Sequence, residues 1–133
     1  MTQSELPREV QDLIAEHITS VEQLEILLLL RERAEQEWSA SKVSEEIRTS
    51  ERSAATRLAD LRARGFLTSR EDAGVTVYRF DPLTVTQRRA VASLSQVYRE
   101  RRYTVIDLIF SKPIDRLRVY ADAFRLRKDD SDG

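Results

Sequence analysis

Apolar residues recur at helical spacing along most of this chain, with one short stretch of alternation near its middle. Leu6, Val10, Leu13, Ile14 and Ile18 fall three or four residues apart, the stripe of a first helix expected from Ser4 to Ile18. Ser4 suits its N-cap, and Pro7 falls in its first turn, where a missing N–H is tolerated. Thr19-Ser20 breaks the pattern. Ser20 with Gln23 forms a capping-box pair, which predicts a second helix from about Val21 to Gln36. The run Ile26-Leu27-Leu28-Leu29-Leu30 makes that helix apolar all round, so it should lie between a central unit and another helical layer.

The stretch from Trp38 to Phe80 carries the most information. Trp38 reads as a core or edge-strand anchor. Ser39 or Ser41 caps a short helix ending near Ile47, with Val43 and Ile47 inward. Arg48-Thr49-Ser50 is a polar turn, and Ser50 caps a helix from Glu51 to Arg64. On that helix Ala54, Leu58 and Leu61 share an inner face. Arg52, Thr56, Ala59 and Ala63 lie roughly opposite, flanked by Ser53, Arg57 and Asp60. Gly65 follows as a left-handed cap. Phe66 to Ser69 and Val75 to Phe80 read as two strands, with Glu71-Asp72-Ala73-Gly74 turning between them.

From Leu83 to Phe110 there is no glycine or proline, and Val91, Leu94, Tyr98, Val105 and Leu108 keep a heptad-like spacing that Arg101 interrupts. One helix over those positions is expected, roughly 42 Å long, more than one compact domain needs, so part of it should pack on a second chain. Ser111-Lys112-Pro113 stops it. Ile114, Leu117, Ala121 and Phe124 are the stripe of a last helix ending near Lys128.

Composition narrows the function. With 133 residues, 41% of them hydrophobic and 34% charged, the chain fits one domain. Its sections are 4–36 (N-terminal helices), 38–80 (central unit) and 83–128 (long helix and last helix, expected to dimerise). There is no cysteine, which excludes disulfides and thiolate metal sites. No apolar run suits a membrane span and no signal-peptide pattern opens the chain, so a cytoplasmic protein is expected. The net charge of −1 is unevenly spread, with −6 over residues 1–37 and a mildly basic remainder. His17 is the single histidine, and no residues mark out ligand partners for it. No nucleophile triad or phosphate-cradling glycine loop stands out, so neither an enzyme nor a cofactor or metal site is expected.

Two capped helices joined by a tight turn, then Gly65, then a glycine-turned hairpin are the order of a winged helix-turn-helix. With the flanking helices, the chain resembles the MarR-type winged-helix transcriptional regulators over nearly its whole length. PadR-type and ArsR-type regulators share the central pattern. The resemblance implies a mainly α fold with a small β-hairpin wing and dimerisation helices at both ends. It also implies a homodimer on double-stranded DNA, the helix 51–64 in the major groove, and a possible small-molecule effector. Residues in position for DNA are Arg48, Ser50, Arg52, Ser53, Thr56, Arg57 and Arg70. Arginine can pair with guanine or phosphate, and hydroxyls can bond to phosphate or base edges. The chain departs from the family at the wing, which usually carries an Asp-x-Arg element. Here Ser69-Arg70-Glu71-Asp72-Ala73-Gly74 puts acids at the tip. A winged-helix module that binds another protein instead of DNA is the alternative reading.

Overall fold

A computed structural model describes residues 6–111. Ser4 as a cap, and the last helix with Ile114, Leu117, Ala121 and Phe124, lie outside the described residues. Helix α1 spans Arg8–His17 and α2 spans Val21–Glu32. Strand β1 (Trp38–Ser39) leads into α3 (Ala40–Ile47) and α4 (Glu51–Ala63). Strands β2 (Leu67–Asp72) and β3 (Val75–Phe80) follow, then α5 (Val85–Glu100) and α6 (Arg102–Phe110). No helix among the described residues is long and apolar enough to cross a membrane.

The capping serines and threonine set the helix starts. Ser20, Ser39, Ser50 and Thr84 each accept a bond from the backbone N–H three residues on, at 3.0–3.1 Å. Pro7 stands at the N-cap of α1, one position before its expected place in the first turn, and its carbonyl accepts from Val10 and Gln11. Helix α2 stops at Glu32, short of the expected Gln36, because the chain must turn to bring Trp38 onto the sheet.

The three strands pair antiparallel in the order β1-β3-β2. Ala73 and Gly74 form a two-residue turn with φ of 53° and 84°, the geometry that matches strand twist in a tight hairpin. Glu71 and Asp72 therefore belong to β2, opposite Thr76 and Val75, and are not part of the turn as the sequence suggests. Thr76 Oγ1 donates to Glu71 across the pair at 2.7 Å.

The expected helix from Leu83 to Phe110 is two helices. The backbone leaves the helical region at Arg101, with φ −136° and ψ 55°. Arg99-Glu100-Arg101-Arg102 supplies no buried apolar anchor at that point, and the bend lets Val105 and Ile109 turn back toward the core beside α1. The length of a single straight helix thus no longer argues for a second chain. The core is continuous from α1 through α2 and α4 to α5, with Ile14, Ile18, Leu24, Leu27, Leu58 and Leu94 fully buried. Leu28 and Leu29 of α2 are only partly buried and face a cleft beside α5.

Candidate nucleic-acid interface

The pair α3 and α4 is joined by Arg48-Thr49-Ser50. Arg48 is left-handed, with φ 65° and ψ 53°, and its N–H closes α3 on the Ser44 carbonyl at 2.9 Å. Glycine or asparagine is usual there, because a Cβ crowds the backbone. Ser50 then caps α4, whose far end is closed by Gly65 at φ 92° and by Phe66 N–H on the Leu61 carbonyl at 3.1 Å. A Cβ on Gly65 would also stand 2.8 Å from Leu83 Cδ1.

Helix α4 has three faces. Ala54, Leu58 and Leu61 are buried in the core. A second, polar face turns onto α2. Glu22 accepts bonds from Ser53 Oγ at 2.6 Å, from Arg57 Nε at 2.9 Å, and from Thr49 Oγ1 in the turn. Farther along, fully buried Gln23 donates to Asp60 at 2.8 Å and to the His17 carbonyl at 3.0 Å. Arg64 Nε donates to the same Asp60 oxygen at 3.0 Å, and its Nη1 to the Glu16 carbonyl at 3.1 Å. The third face is open, with Arg52, Ala55, Thr56, Ala59, Arg62 and Ala63 exposed. Among the described residues Arg52 and Arg62 make no ion pair, and Thr56 Oγ1 donates back to the Arg52 carbonyl at 3.1 Å.

The three bonds hold the Glu22 carboxyl far below its ordinary range, from 4.5 down to about 2, with Arg57 the largest cause, then Ser53, then Thr49. A carboxyl depressed in the folded state stabilises fully above its unfolded value and loses that contribution as pH falls from about 4.5 to about 2. The side chain is 25% exposed, so solvent screening trims the gain. Glu22→Gln should therefore cost about 2 kcal/mol at pH 7, with most of the difference gone at pH 2.5. Urea denaturation of both proteins at the two pH values checks this. An equal gap at both would show that the carboxylate is not its source.

On the wing, Arg70 forms a two-pronged pair with Glu37, with Nε and Nη2 each 2.7 Å from a carboxylate oxygen. That pairing lowers the Glu37 pKa and raises that of Arg70, with Arg79 adding a weaker effect on Glu37. Glu71 and Asp72 are exposed beside it.

Solved structures share the fold. The adhesin competence repressor AdcR from Streptococcus pyogenes aligns over 89% of this chain and 84% of its own, with a TM-score of 0.52 at 14% identity. A ZitR variant from Lactococcus lactis aligns over 87% and 77%, with a TM-score of 0.52 at 16% identity. Reduced HlyU from Vibrio cholerae N16961 covers 68% and 88%, with a TM-score of 0.51 at 20% identity. The chain has a winged helix-turn-helix fold. No family model and no curated protein matches its sequence.

Within this winged helix the seven sequence candidates separate. Arg48, Ser50, Arg52 and Thr56 lie exposed on the turn and the open face of α4. Ser53 and Arg57 face α2 and grip Glu22, and Arg70 is held by Glu37. Sequence reasoning did not single out Glu22, Glu37 or Arg62. Arg62 was within reach, since it lies three and ten residues beyond Ala59 and Arg52. The two acids have no local signal, because their partners are 27 to 35 residues away.

A cleft of about 440 Å³ lies between α2 and α5. Leu28, Leu29 and Ile47 form its apolar side, and Glu25, Tyr98 and Arg102 its polar side. Tyr98 Oη donates to Glu25 at 2.8 Å. Burial, then that bond, pushes the Tyr98 phenol up to about 12. Arg102 caps the ring at 5.2 Å.

Proposed function

We propose that the protein is a homodimeric, sequence-specific DNA-binding transcriptional regulator with the helix 51–64 in the major groove. The observation that carries this is the open face of α4. It combines Arg52 and Arg62, which make no ion pair among the described residues, with the low-profile Ala55, Thr56 and Ala59, while Ser53, Arg57 and Asp60 are committed inward and the acid Glu51 stays exposed at the N-terminal end. A helix of that profile can approach base edges closely, and its arginines can reach guanine or phosphate. Arg48 and Ser50 stand at its N-terminal end, the end that enters the groove in helix-turn-helix proteins. Ser53 and Arg57 support the helix from behind, and Arg70 joins phosphate only by leaving Glu37. The fold shared with AdcR, whose name makes it a repressor, favours the regulator reading.

Selection of binding duplexes from a random pool, followed by titration across salt, tests this. Binding that falls steeply with salt is expected. The left-handed arginine sharpens it. Arg48→Gly should raise stability by about 0.5–1 kcal/mol by relieving the backbone, while weakening DNA binding. Thermal denaturation and the same titration measure both. Unchanged DNA affinity would remove Arg48 from the interface.

Exposed apolar residues support the dimer. Tyr103 and Phe110 are 80% and 60% exposed on α6, seven residues apart and so on one face. Light scattering at tens of micromolar should give about twice 15.4 kDa. Phe110→Asp should shift the mass toward the monomer, and a monomeric wild type would contradict the assembly. The cleft beside α2 is the proposed seat of any small-molecule effector, since it joins an apolar wall to a tyrosine, an arginine and a carboxylate. The exposed acids Glu71 and Asp72 favour a second reading, a winged-helix module that binds a protein. Failure to bind any duplex at low salt would select it.

A further inference from the structure

The interior side of α4 is held by two different kinds of contact. Ala54, Leu58 and Leu61 bury an apolar stripe, and the hydrophobic attraction that holds it is non-directional. The polar contacts are directional, and three of them meet at one carboxylate. Glu22 takes Thr49 from the turn, Ser53 from the first turn of α4 and Arg57 from the next, using both of its oxygens. Three attachment points along the turn and the helix fix both the rotation and the axial position of α4. Glu22 itself sits in the first turn of α2, where a negative charge suits the helix dipole. Its neighbour Gln23 is wholly buried and continues the seam to Asp60.

We infer that Glu22 is the positioning residue of the recognition helix, setting the angle at which Arg52 and Thr56 meet the bases. This rests on the DNA-binding reading of α4. Glu22 lies on α2 and touches no DNA itself. Its loss should leave attraction to phosphate nearly intact and degrade discrimination between sequences, because base contacts need the helix held to within a fraction of an ångström and a few degrees.

The test compares wild type, Glu22→Ala, Glu22→Gln and Thr49→Val at one salt concentration. Each is titrated with the selected duplex and with a scrambled duplex of the same composition. Hydrogen exchange of α4 amides is followed on the same proteins without DNA. Glu22→Ala should lose at least tenfold in the ratio of the two affinities, with less than threefold change on scrambled DNA and an unaltered salt slope. Glu22→Gln, which keeps an acceptor oxygen, should recover part of that loss. Thr49→Val, which leaves the charge in place, should lose less and remains informative where Glu22→Ala does not fold. Exchange in α4 should quicken in Glu22→Ala with the rest of the core protected. A ratio within twofold of wild type in folded variants, or equal losses on both duplexes, overturns the inference. If wild type binds no duplex, the DNA reading itself fails. The exchange arm then still decides, since unchanged α4 protection would show that Glu22 positions nothing.

Discussion

Trp38→Ala should cost about 3–5 kcal/mol of stability, the largest single loss expected in this chain. Trp38 is fully buried although it lies on a strand of only two residues. Its partner across the sheet is Tyr78 on β3, and Arg33 and Lys42 stand 5.6 and 5.5 Å from its ring. Truncation would remove the anchor that ties the start of α3 to the wing and leave a cavity. Native stabilities are commonly only about 5–15 kcal/mol, so the variant should lose a large fraction of its stability. Trp38→Phe should be much milder. It keeps most of the ring and deletes an indole N–H that has no acceptor among the described residues. Denaturant titration followed by circular dichroism measures both. A loss under about 1 kcal/mol for the alanine variant would contradict the core role.

Arg52→Ala should weaken binding to a selected duplex by about 1–3 kcal/mol, or roughly 5- to 150-fold, and relax specificity at one base position. Arg52 is exposed on the first turn of α4 and engages no carboxylate among the described residues, so the change should leave stability nearly untouched. Arg57→Ala should behave differently. It removes the one cationic partner of Glu22, the largest cause of its lowered pKa, and should lower stability as well as specificity. The contrast separates a residue that reaches DNA from one that holds the helix. Equal affinity losses with equal stability losses in both variants would undo it. Duplex titration paired with denaturation gives the two quantities for each protein.

The parts of this fold that are legible in the sequence depend on near neighbours. Ser20, Ser39 and Ser50 cap helices through bonds to the third residue on, so the start of α2 and α4 can be read directly, and that of α3 to within the choice of Ser39 or Ser41. Gly65 marks the end of α4 because its backbone needs a positive φ. Strand β3 shows in its β-branched and aromatic residues. What the sequence hides depends on distant packing. The hairpin closes two residues tighter than the four-residue turn Glu71-Asp72-Ala73-Gly74 suggests, because the ladder holds Glu71 and Asp72 in β2 against their low strand propensity. Arg101 is visible as an interruption of a heptad, but whether a helix bends there depends on α6 finding α1. The helical wheel puts Ser53 and Arg57 at the edge of the open face. Only the position of Glu22, 31 and 35 residues earlier, turns them inward.

Methylation protection of guanine N7 tests the central claim most directly, since N7 lies in the major groove and the recognition helix should cover it. On a selected duplex the wild-type protein should protect guanines in two half-sites spaced about one helical turn, roughly 10 base pairs, or a multiple of it apart. Arg52→Ala should lose protection at one guanine in each half-site and retain the others. Absence of any N7 protection on a bound duplex, or a pattern identical in wild type and Arg52→Ala, would contradict the account of α4 as the element that reads DNA.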